Sequence, residues 1–85
     1  YHKLSVNPNP VKDDELNILL TAEKNTYGVL RLINMNGSVV KNFSGRFYKK
    51  GQTQIKEKIM LPNGQYFVIW LTNEKFLSYQ FTVIK

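Results

Sequence analysis

Eighty-five residues with no cysteine, 42% hydrophobic and 13% aromatic, make one domain with a compact core. They exclude a disulfide framework, a thiolate metal site and a disordered chain. Twelve basic and six acidic residues give a net charge of +6. The lysines are scattered and Arg31 and Arg46 are the only arginines, a poor match to a nucleic-acid surface, which leans on arginine for phosphate geometry.

In chain order the apolar period is two, which predicts strands. Lys3 to Asn7 alternates weakly through Leu4 and Val6. Pro8-Asn9-Pro10 follows, with prolines that fix an extended approach to the first core strand. Asp13-Asp14-Glu15 reads as a solvated turn rather than a helix start or a cation loop, because the residues after it alternate and the spacing of a calcium loop is missing. Leu16 to Thr21 places Leu16, Ile18 and Leu20 on one face. Val29 to Asn34 places Leu30 and Leu32 on one face and Val29, Arg31 and Ile33 on the other. Asn36-Gly37 predicts a type I′ hairpin turn, with Ser38 to Phe43 as the partner strand.

Gly45 to Gly51, basic and aromatic, reads as a connection. Thr53 to Met60 alternates through Ile55, Glu57 and Ile59. Leu61-Pro62-Asn63-Gly64 is a turn, since proline ends a ladder and glycine takes dihedrals that strain other residues. Gln65 to Thr72 is nearly all apolar, as in a strand covered on both faces. Phe76 to Ile84 closes the chain after Asn73-Glu74-Lys75. Seven short strands and their turns predict an all-β, seven-stranded antiparallel immunoglobulin-like β-sandwich spanning residues 1–85.

Residues able to carry chemistry are few. His2, the one histidine, sits at the start of the chain and reads as solvated. No carboxylate pair, nucleophile–base set or phosphate-binding loop stands out, so no catalytic residue, cofactor or metal is expected. Leu61, Pro62, Gly64 and Tyr66 resemble a tyrosine corner, in which the hydroxyl bonds back to the backbone and fixes a crossover between sheets. With Tyr66, Val68 and Trp70 inward, Phe67, Ile69 and Leu71 point the other way. They form a candidate docking surface that Val29 and Ile33 extend, unless the segment around Phe47 and Tyr48 folds over it. A last strand at a sheet edge invites strand addition, or a homodimer made by end-strand swapping.

The ordered set of pieces resembles the type A C-terminal sorting domain of the type IX (Por) secretion system of Bacteroidetes. The pieces are Pro8-Asn9-Pro10, a strand ending at Gly37, Leu61-Pro62-Asn63-Gly64-Gln65-Tyr66, and a final strand ending in Lys85. Asn34 departs from the aspartate common at its place, and Asp13-Asp14-Glu15 is one residue longer than usual. The resemblance implies a secretion signal with no enzymatic activity. Its sorting-motif residues here are Pro8, Asn9, Pro10, Gly37, Leu61, Gly64, Tyr66 and Lys85. The implied partners are the type IX translocon, an outer-membrane shuttle barrel, a sortase-like peptidase cutting at or before Tyr1, and cargo domains N-terminal to this one. The implied location is the periplasm in transit, then the Gram-negative cell surface or the medium. With no signal peptide in the chain, the inner-membrane signal is expected upstream, in a larger secreted protein. Lys85 is expected to be an exposed charge with no packing role, dispensable for the fold but needed for export. A competing reading is a carbohydrate-binding or adhesive module that uses Tyr27, Phe47, Tyr48 or Trp70 as coplanar sugar platforms.

Overall fold

A computed structural model describes residues 2–85, and of Ser44 and Gly45 the backbone alone. The strands are β1 (Lys3–Asn7), β2 (Glu15–Ala22), β3 (Thr26–Asn34), β4 (Val39–Tyr48), β5 (Gly51–Lys58), β6 (Gly64–Thr72) and β7 (Phe76–Val83). They form two antiparallel sheets, ordered β1-β2-β5 and β4-β3-β6-β7. An eighth paired piece, one residue long, is Val11, bridged in parallel to Val83; alternation cannot reveal a strand of one residue. No helix among the described residues is long and apolar enough to cross a membrane.

The period-two pattern explains the layers. Leu16, Ile18 and Leu20 of β2, Leu30 and Leu32 of β3, and Val68 and Trp70 of β6 are all buried between the sheets. At about 25 cal/mol per Å² of apolar surface, this shared layer is the main force holding the sheets together. Trp70 lies at its heart. Its ring meets Tyr48 edge-on at 5.4 Å and His2 at 5.1 Å, and its indole nitrogen would stand 2.8 Å from a Cβ at Gly28. Only a residue without a side chain lets β3 pass the indole so closely.

Four expectations are corrected. Gly45–Gly51 is not a connection: β4 runs on to Tyr48 and β5 begins at Gly51. A register shift between Gly28 and Leu30 in the β3–β4 ladder changes the phase of the alternation. Phe43 and Tyr48 are therefore both buried although five residues apart, while Phe47 is exposed. Second, His2 is not solvated but 5% exposed, and its Nδ1 accepts the Glu23 backbone N–H at 3.1 Å. Third, the β3–β4 turn is not type I′. Asp14 (φ 59°) is the only non-glycine with positive φ among the described residues, and Gly37 has φ 83°. Gly37 N–H donates to Asn34 O and Asn34 N–H to Ser38 O, each at 3.0 Å, the pattern of a three-residue loop with a left-handed glycine after the turn. Fourth, Pro8-Asn9-Pro10 bends rather than running extended.

Tyr48 supplies a pH prediction. Its hydroxyl is buried without a hydrogen-bond partner, and burial pushes its pKa up, with Arg46 opposing. The unfolded state therefore ionises first, and stability present below about pH 10 falls above it. Tyr48→Phe should leave neutral-pH stability unchanged or slightly raised, since no hydrogen bond is lost. It should also make the alkaline decline shallower in urea titrations at stepped pH; an unaltered decline would contradict the assignment.

Candidate functional site

Three chain crossings join the sheets. β2 to β3 and β4 to β5 cross at one end of the sandwich, and β5 to β6 crosses at the other. This second end is built from the close of β1, β3, β5 and β7 and the start of β2, β4 and β6. It gathers the sequence pieces that lie furthest apart in the chain.

The segment 8–11 lies along the end of β7. Asn9 Oδ1 accepts the Thr82 backbone N–H at 3.1 Å. Val11 N–H donates to Thr82 O at 2.8 Å, and Ile84 N–H donates to Val11 O at 3.0 Å. These bonds occupy ladder groups that an edge strand would otherwise present. The strand expected to lie open at its edge is thus closed at its C-terminal end by the Pro-Asn-Pro segment.

The last residue is also held. Lys85 N–H donates to Asn63 Oδ1 at 2.9 Å, and Lys85 Nζ lies 2.6 Å from Asp14 Oδ1. This is an ion pair without the alignment of a hydrogen bond. The expectation that Lys85 has no packing role is corrected, because its backbone and its ammonium tie the chain end to two loops. Both ion-pair side chains are partly exposed, so the pair contributes at most about 1 kcal/mol. Asp14 is positioned by its own left-handed backbone and by Ile59 N–H, which donates to Asp14 O at 2.8 Å. Among the described residues no cluster of three His, Cys, Asp or Glu could hold a metal ion.

The β5–β6 crossing carries the corner expected from the sequence. The Tyr66 hydroxyl donates to Pro62 O at 2.7 Å. The ring is buried and stacks on Phe81 at 5.8 Å, and Leu61 beside it is buried in the core. Tyr66→Phe should keep the ring and lose the bond, destabilising the chain by about 1 kcal/mol. Denaturant unfolding measures this, and an unchanged midpoint would mean the bond contributes nothing. The β3–β4 turn sits alongside: Asn34, Met35 and Asn36 line one hollow with Asn63, Gly64, Gln65 and Tyr66.

Pro8, Asn9, Pro10, Leu61, Gly64, Tyr66 and Lys85 therefore share one pole, with Gly37 in the adjoining turn. Sequence reasoning missed Val11, Asp14, Asn63 and Thr82, the residues that bind these pieces to one another. Phe67, Ile69 and Leu71 lie elsewhere, on the outer face of β6. There β3 sets Ile33 opposite Phe67 and Val29 opposite Leu71. The segment around Phe47 and Tyr48 does not fold over that face, since both residues belong to β4. The four aromatics offered as sugar platforms are not coplanar: Tyr48 and Trp70 are in the core, and the exposed Tyr27 and Phe47 rings tilt 55° to each other.

Residues 5–85 match the family model described as "Secretion system C-terminal sorting domain", the sorting domain of type IX secretion. The chain belongs to that family. No curated protein matches it. The family is not an enzymatic one. Membership supports a C-terminal sorting signal for type IX secretion, which implies contact with the type IX machinery, a cargo N-terminal to the domain, and export to the cell surface or the medium.

Proposed function

We propose that this family member acts as a folded address, and that the pole where its motif pieces meet is the part read by the type IX translocon and an outer-membrane shuttle barrel. The observation that carries this reading is the convergence of Asn9, Val11, Asp14, Asn63 and Lys85 through bonds between segments up to 73 residues apart. An unfolded chain offers these groups separately; only the folded domain presents them together. Recognition of this kind lets a translocon reject cargo whose signal has not folded.

In the same reading residues 1–85 act as one unit of a larger secreted protein of a Gram-negative bacterium of the Bacteroidetes type, passing through the periplasm. An immunoglobulin-like scaffold is supported by the three-plus-four strand division, the three crossings and the Tyr66–Pro62 corner. Removal by a sortase-like peptidase would fall at or before Tyr1, outside the described residues. Burial of His2 against Trp70 favours a cut upstream of this position, because a cut further in would open the core. End-strand swapping between two copies would first have to release the bonds of Val11 and Asn9 to β7.

The test is a reporter fused to the chain, with Asn9→Ala and Lys85→Ala at the pole and Lys24→Ala and Gln52→Ala at the opposite end. Each pole change costs about 1 kcal/mol or less, so the domain stays folded. Surface or secreted reporter should fall severalfold for the pole variants and hold for the controls, with melting temperatures within about 8 °C of the parent. Export that follows melting temperature wherever the change lies would overturn the pole as the element read.

A further inference from the structure

The two sheets present contrasting outer faces. On β1-β2-β5 the outward residues include Lys3, Ser5, Asn17, Gln54 and Lys56, with Leu19 as the one large apolar side chain among them. This is the wet face ordinary for an antiparallel sheet. On β4-β3-β6-β7 four outward pairs are apolar, Tyr27 with Phe47, Val29 with Leu71, Ile33 with Phe67, and Leu71 with Phe76, while Asn42, Ser78 and Gln80 add polar side chains beside Arg31, Ile69 and Phe67. Tyr27 and Phe76 are 65% and 64% exposed, and Leu71, Phe47 and Val39 are about half exposed.

Two hollows lie on this face and share Val29 and Leu71. One is lined by Arg46, the other by Arg31. These are the only two arginines of the chain, and no lysine and no acid lines either hollow. A solubilising surface would draw on the abundant lysines. Aromatics with arginine and without lysine are the composition of a contact surface. A planar guanidinium, weakly hydrated and able to pair in two places, suits carboxylates presented from apolar surroundings.

We propose that this face is a second contact surface, separate from the motif pole, and that it holds an apolar polypeptide segment bearing carboxylates. The apolar side chains fill the hollows along Val29, Ile69 and Leu71, and Arg31 and Arg46 take the acids. The inference does not depend on the export reading, because the composition of the face alone carries it.

The experiment is an amide NMR titration of the full chain with an octapeptide of alternating valine and glutamate. The same peptide with lysine for glutamate and anionic phosphatidylglycerol vesicles are run in parallel. The glutamate peptide should shift amides of 27–33, Ile69, Leu71 and Phe76, bind at least about tenfold tighter than the lysine peptide, and weaken as salt rises. The double variant R31E/R46E should lose that preference while its spectrum elsewhere is unchanged. Phe76→Ser, exposed and outside the core, should weaken binding of the glutamate peptide without changing the preference for it. Equal binding of both peptides, shifts confined to β1-β2-β5, or no binding would overturn the proposal. A response to vesicles alone would overturn it too, and would assign the face to a lipid surface.

Discussion

Replacing Trp70 with alanine should lower the melting temperature by about 15–30 °C and leave much of the chain unfolded at 37 °C. Trp70 is the largest fully buried side chain, and it stands between Leu30 of β3 and Leu77 of β7 in the central ladder. Tyr48 and His2 pack against its ring from β4 and the start of the chain. Tryptophan-to-alanine changes at such sites cost about 3–5 kcal/mol, against a total of about 5–10 kcal/mol for a domain this size. Each kcal/mol shifts melting by about 4–8 °C. Circular dichroism melting checks this, and a shift below about 5 °C would mean that the two sheets do not depend on this residue.

Gly64→Val should destabilise the domain by about 1–3 kcal/mol and abolish most export. Gly64 has φ 154°, a region that residues with a Cβ rarely adopt. The cause is backbone strain, since a Cβ there would meet nothing closer than Tyr66 Cε1 at 4.0 Å. Gly64→Ala should therefore cost nearly as much as Gly64→Val, whereas a steric clash would separate the two. The loss of export follows from position: Gly64 pairs with Val83 and lies between Pro62 and Tyr66, so relief of the strain moves the corner and the end of β7 together. Unfolding titrations and reporter export measure the two effects. Parental stability with parental export would place the strain elsewhere.

Most of the layer structure was legible in the sequence because alternation is a local signal. Leu16, Ile18 and Leu20, and Tyr66, Val68 and Trp70, declare their inward face without reference to any other strand. The pattern failed at β4, where a register shift changes the phase between Phe43 and Tyr48 and the glycine-flanked basic run imitates a loop. It failed for His2 because one residue has no period, and its burial depends on a ring 68 positions away. The turn at Gly37 was legible but its type was not, since the choice rests on where Asn34 finds its bonds.

At the pole the division is similar. Pro8-Asn9-Pro10, Gly64, Tyr66 and Lys85 could be singled out as residue types in a recognisable order. Their meeting could not, because Asn9 to Thr82 ties a loop to the end of β7 and Lys85 to Asp14 ties the chain end to a loop, and such single contacts leave no periodic trace. The tyrosine corner is the exception. Its two partners lie four residues apart, so it could be read from Leu61-Pro62-Asn63-Gly64-Gln65-Tyr66 alone.

The most direct test is sufficiency. A periplasmic fluorescent reporter carrying residues 1–85 at its C-terminus would be expressed in a type IX-competent bacterium and in a translocon-null sibling. Reporter on the surface or in the medium of the competent strain alone is the expected result, and it would establish the domain as a complete address. Reporter held in the periplasm of both strains, with the domain folded, would contradict it.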